Sequence, residues 1–173
     1  MNLIVTSSRH LEDDAAQEIT TILESFGDNN SKINITNLSG IVTCITTLEP
    51  FSVIKKIQEK ILEEPWSIRY CHRIIPIQET VITEKQNIVN AVFNHAKIMR
   101  VEDTYRITVE KRHSAISTKE IIDAIADKID NKVSLEKFDW IILIEILGNK
   151  TGISILKEND ILSTQKLKRS LSE

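Results

Sequence analysis

WIILIEILGNKTGISIL, residues 140–156, is the stretch whose reading decides the fold. From Trp140 to Leu147 the only charge is Glu145, and an apolar run of strand length is what a central strand buried on both faces requires. Gly148-Asn149-Lys150 reads as a tight turn, so Thr151 to Leu156 is expected to run back beside the first strand. Upstream, Tyr105, Ile107 and Val109 alternate with Arg106, Thr108 and Glu110, which predicts a half-buried strand over 104–112. Between the two, Ser117-Thr118-Lys119-Glu120 has the form of a capping box, followed by Ile121, Ile122, Ile125, Ala126 and Ile129 on one helical face. Val133 to Leu135 reads as a short extended piece. Thr83-Glu84-Lys85-Gln86 is a second capping-box pattern, ahead of Ile88, Val92, His95 and Met99, and predicts a helix over 84–99. Lys166 to Leu171 has too little apolar content to pack alone and is expected to form a mobile basic end.

The first half follows a different order. Leu3-Ile4-Val5 is a strand, and Leu11, Ala15, Ile19, Ile22 and Phe26 recur at helical spacing. Glu12, Asp13 and Asp14 suit the positive end of that helix's dipole, and Gly27 sits where the helix should stop. Ile33 and Ile35, a turn at Asn37 to Gly40, and the β-branched Ile41 to Thr46 predict a hairpin. Val53, Ile54, Ile57, Ile61 and Leu62 form a second helical stripe that cannot pass Pro65. Ser67 to Val81 then reads as one long strand. Strand, helix, strand, strand, helix, strand is the split βαβ order of ferredoxin-like folds. The expected class is therefore α+β: a ferredoxin-like domain over 1–82, an α/β domain over 83–164 and a basic tail over 165–173.

The segments carrying chemistry in the second half are Tyr105 to Ser114 with its basic end, the capped helix, Val133-Ser134-Leu135, Asp139 to Ile146, and Gly152-Ile153-Ser154. Together, over about 84–156, they resemble a THUMP domain, a family in which a ferredoxin-like domain precedes the RNA-binding fold. Many such proteins append a methyltransferase, thiouridine synthetase or deaminase domain. None is expected here, so the resemblance implies the stand-alone class, similar to the adaptor that presents tRNA to a tRNA cytidine acetyltransferase. Arg69 to Pro76 has the look of that class. The implied partners are tRNA and an acetyltransferase or other tRNA-modifying enzyme, and the implied compartment is the cytoplasm.

An A-form major groove is too narrow for side chains to read, so such a domain must hold RNA by its phosphates and shape. The expected RNA-binding residues are Lys111, Arg112 and His113 at the strand's end, and Arg106 on the polar face it shares with Arg112. Ser117 and Lys119 at the helix start belong with them, since Lys119 lies against the dipole preference. Arg69 and Arg73, four residues apart on the predicted long strand, are expected to extend the basic surface, or else to pair with Glu79 or helix carboxylates. The alternative for all of these is an ordinary solvated surface side chain.

Net charge is -3, with seven Lys/Arg against eleven Asp/Glu in residues 1–83 and fifteen against fourteen in 84–173, so any anion-binding surface must be local. No run approaches the roughly 20 apolar residues of a membrane span. The four glycines are scattered, without a dinucleotide, P-loop or nucleophile-elbow pattern. His10, His72, His95 and His113 lack metal-ligand spacing, and Cys44 and Cys71 read as buried reduced thiols. No catalytic residue, cofactor or metal is expected. Glu145 is expected to pair with a nearby lysine. Two rival classes remain: a protein-interaction or small-molecule regulatory module without RNA binding, and an enzyme working through Glu145, His113 or His72.

Overall fold

The computed structural model describes all 173 residues. The chain divides into two units, one of Met1–Ile77 with Asn159–Glu173 and one of Gln78–Glu158.

In the first unit, β1 (Leu3–Thr6) leads into α1 (Glu12–Ser25), whose buried stripe is Ala15, Ala16, Ile19, Ile22 and Leu23. Gly27, at φ 100, lets the chain turn away where a side chain would be strained. β2 (Lys32–Ile35) and β3 (Ile41–Ile45) form the expected hairpin. α2 (Pro50–Glu63) starts at Glu49, whose carboxylate accepts the amides of Phe51 and Ser52. β4 (Arg73–Pro76) closes the ferredoxin-like order, and the antiparallel sheet runs β2-β3-β1-β4. One core, including Leu3, Val5, Ile57, Cys71 and Ile74, lies between the helices and that sheet.

The long strand expected over Ser67–Val81 is not formed. Pro65–Ser67 is a 3-10 turn, and the amides of Arg69, Tyr70 and Cys71 all donate to the Glu18 carboxylate, at 2.9, 3.0 and 2.9 Å. Those amides are thereby withdrawn from any ladder. Pro76 has no N–H to extend β4, and the next strand, β5 (Glu79–Ile82), joins the second sheet. The expected break at 82/83 therefore falls instead at 77/78.

The basic tail is also ordered. Leu162–Ser163 forms β9 against β4, and Thr164–Ser170 forms α5, with Leu167 packed on the first core. The buried Thr164 hydroxyl donates to the carbonyls of Cys71 and His72, and the Lys168 ammonium donates to Ile68. The partners lie about ninety residues away, so no local apolar stripe announces the helix.

In the second unit β6 (Tyr105–Arg112) pairs parallel with β7 (Trp140–Leu147), β7 pairs antiparallel with β8 (Lys150–Leu156), and β8 pairs antiparallel with β5. The order is β5-β8-β7-β6, so β7 is interior, as its composition requires. α3 (Lys85–His95) and α4 (Thr118–Lys128) pack on one face over Ile142, Ile144, Ile146, Ile153 and Ile155. Each such buried side chain stabilises by about 1.5–3 kcal/mol relative to exposure. The Thr83 capping box does not form. Its hydroxyl bonds that of Thr151 at 2.8 Å, Glu84 occupies the cap position, and the last turn of the expected 84–99 helix tightens to a 3-10 turn at Ala96–Ile98. Val133 makes only one parallel bridge, to Tyr105. No helix is long and apolar enough to cross a membrane.

Candidate nucleic-acid interface

β5, β6 and β7 run in one direction, because β6 is parallel to β7 and both β5 and β7 are antiparallel to β8. Their C-terminal ends therefore lie at one edge of the sheet. α3 follows β5 and α4 follows β6, so both helices begin at that edge too, with their amide ends forward. This is the edge at which open α/β sheets collect ligands.

Lys111 and Arg112 end β6 and point to opposite faces. The Lys111 ammonium turns toward the helix side and donates to the Ile116 carbonyl at 3.0 Å. Arg112 turns the other way, its guanidinium 3.7 Å from the Glu145 carboxylate, whose side chain is only 2% exposed. Glu145 thus has an arginine, not the expected lysine, as its cation. His113 is exposed and takes a positive φ of 52, which carries the chain out of the strand toward Ser117. The Ser117 hydroxyl caps α4 by accepting the Glu120 amide at 3.3 Å. Lys119 forms an intrahelical pair with Asp123 at 3.0 Å, and that hydrogen bond raises its pKa. The i to i+4 pair by itself accounts for a lysine in the first turn.

Arg106 is separated from this group. Six residues earlier on the same strand puts it about 20 Å away. There its guanidinium lies 5.5 Å from the Phe138 ring and donates to the Leu135 carbonyl at 3.4 Å. Arg69 and Arg73 belong to the first unit, Arg69 exposed before β4 and Arg73 at its first position, so they do not share one strand face as expected. Glu79, offered as their partner, instead meets His95 at 2.8 Å.

Two exposed lysines at the strand-end edge were not among the expected residues. Lys150 opens β8, with Leu147 opposite both it and Arg112, and the Gly148 amide donates to the Arg112 carbonyl at 2.9 Å. Lys85 opens α3, which the bond from the Thr83 amide to the Asn149 carbonyl, 2.9 Å, holds beside the same turn. The signal for both was the direction of pairing: once β6 and β7 are parallel, the turn after β7 must arrive where β6 ends. The edge thus carries Lys85, Lys111, Arg112, His113, Lys119 and Lys150, an arrangement able to contact several phosphates of one backbone. No group of three or more His, Cys, Asp or Glu side chains converges to hold a metal ion.

Residues 87–156 match the family model of the THUMP domain. No curated protein matches the chain significantly. The crystal structure of PH1313 from Pyrococcus horikoshii Ot3 is similar at a TM-score of 0.68 with 18% identity, over 91% of this chain and 55% of that one. TrmN from Thermus thermophilus is similar at 0.55 with 12% identity, over 88% and 44%. A 4-thiouridine synthetase in a complex with RNA and bound ATP is similar at 0.57 with 11% identity, over 93% and 41%. At such identities the likeness is one of fold, and this chain spans less than two thirds of each of those proteins. In its second unit, over residues 87–156, this chain carries a THUMP domain.

Proposed function

We propose that this protein is a tRNA-binding adaptor, not itself catalytic, which holds tRNA for a separate modifying enzyme in the cytoplasm, with cytidine acetylation as the reaction served. The observation that carries the reading is the THUMP match itself, together with the strand-end edge of that domain, where Lys111, Arg112, His113 and Lys150 meet the starts of two helices. The fold-level likeness to a synthetase solved with RNA supports a nucleic-acid ligand. Shape-based RNA recognition needs lysine and arginine on a rigid edge and needs no base-stacking aromatics there.

The test is binding of the purified chain to bulk tRNA as salt is raised, for the parent and for a double Lys111→Ala, Arg112→Ala variant. Affinity should fall with salt, and the variant's log-log slope should be shallower by about two. Addition of the chain to a tRNA cytidine acetyltransferase at limiting protein should raise acetylcytidine formation, and the double variant should lose that stimulation. No binding at low salt would favour the protein-interaction reading. Turnover by the purified chain alone would favour an enzyme.

A further inference from the structure

At the other end of the same helices, the second unit has an apolar groove of about 310 Å³ between the end of α3, the 3-10 turn after it, and the end of α4. Ala96 and Ile129 are buried beneath it, while Phe93 at 43% and Val101 at 94% exposure line it together with the half-buried Met99. Single exposed apolar residues are ordinary, but a contiguous group is the usual mark of an interaction site. Val101 rides on a pinned turn. The Asp103 carboxylate accepts the Arg100 amide at 2.8 Å, and the Asn131 side chain donates to the carbonyls of Arg100 and Asp103 at 2.7 and 3.0 Å. A turn so held presents its valine to solvent in one arrangement, and a preformed contact loses little freedom on binding.

The charges at the groove are also particular. The ammonium groups of Lys97 and Lys128 lie 5.7 and 5.8 Å from the centre of the Phe93 ring, and neither forms a salt bridge. Both ammonium groups therefore stand beside the groove without a carboxylate partner of their own, open to one from a docked segment. The lining is mostly apolar, with Phe93, Met99 and Val101 along it, which gives a chain of phosphates little to contact.

We propose that this groove docks a protein segment that combines an apolar or aromatic side chain, seated against Phe93 and Val101, with one or two flanking carboxylates that reach Lys97 and Lys128. The docking chemistry stands on the groove alone; that the segment belongs to the modifying enzyme rests on the adaptor reading. α3 is 11 residues long, so the groove lies about 16 Å along that helix from the basic edge, and RNA and protein partner would be held at opposite ends of one domain.

The probe is a displayed library of random twelve-residue peptides selected against the full chain, with tRNA binding measured in parallel. Enriched peptides should carry an apolar residue beside Asp or Glu. Val101→Asp, which disturbs nothing buried, and a Lys97→Glu, Lys128→Glu pair should each weaken them about tenfold or more. Both variants should bind tRNA as the parent does. Three results would overturn the proposal: no peptide sensitive to these substitutions, loss of tRNA affinity in them, which would give the surface to RNA, or loss in them of a self-association seen in the parent, which would give it to a second copy. Failure of the parent to bind tRNA, with peptide docking intact, would remove the adaptor reading and leave the docking site.

Discussion

Asp28 is 1% exposed, yet it is charged. The Thr46 hydroxyl donates to its carboxylate at 2.5 Å and the amides of Asn30 and Thr47 each donate at 2.9 Å, which brings its pKa from 3.8 to about 2. The folded value lies below the unfolded one, so the stabilisation is fully present above the unfolded pKa and is lost as pH falls through about 2. Asp28→Asn should cost about 1–3 kcal/mol at neutral pH and much less once both states are protonated. Chemical denaturation at the two extremes reads this, and an equal penalty at both would place the effect in packing instead. Lys111 and Arg112 make a second contrast. Lys111→Ala should leave stability within about 0.5 kcal/mol, as expected of an exposed side chain. Arg112→Ala should cost about 1–3 kcal/mol, because it takes a guanidinium away from a buried carboxylate. Unfolding midpoints of the two single variants test that split, and equal midpoints would show that Arg112 belongs to the surface alone. Neighbours in sequence, both residues are expected from the sequence to contact RNA. The pleat, which sends them to opposite faces, makes them different.

Among the elements, those with a strong period were legible: α1, α2 and α4 by their apolar stripes, β7 by its unbroken apolar run, and β6 by alternation. The 67–81 segment was misread because alternation says nothing about which sheet a strand joins. The capture of three amides by Glu18 is a contact between residues some fifty positions apart. α5 was missed for the same reason. Its contribution is measurable through Cys71, whose carbonyl accepts the Thr164 hydroxyl at the start of α5. Burial pushes the Cys44 thiol up to about 12 and the Cys71 thiol higher still, so both should resist a disulfide reagent in the native protein. Leu167→Asp, which places a charge against the first core, should loosen α5 and speed the labelling of Cys71 by about tenfold or more. Labelling at the parent's rate would mean that α5 contributes little to closing that core.

At the scale of the whole molecule, the chain leaves the first unit at Ile77 and returns to it at Asn159. A fragment of residues 1–82 lacks β9 and α5 and should unfold at lower denaturant than the intact chain, with Cys71 reactive. A fragment of residues 78–158 holds the whole second sheet and both of its helices, and should unfold cooperatively by circular dichroism. A stable 1–82 fragment with protected thiols would show that the returning segment is an accessory. Net charge decides little at this scale: the chain carries -3, and the basic edge arises because parallel strands deliver their ends to one side.

Periodicity, turn residues and the location of basic residues are properties of neighbouring positions, and from them alone the chain could be read as two successive α+β domains with a basic cluster at the end of the strand over 104–112. Which strands share a sheet, where the chain crosses between units, and which lysines join Arg112 at the strand-end edge depend on pairing across tens of residues. Lys85 and Lys150 entered the candidate site only when the strand directions were known, and Arg106 left it only when its distance along the strand was measured against theirs. A local pattern records which face of an element is buried, whereas the partner that buries it, and the edge to which that element's end is brought, are set by long-range packing.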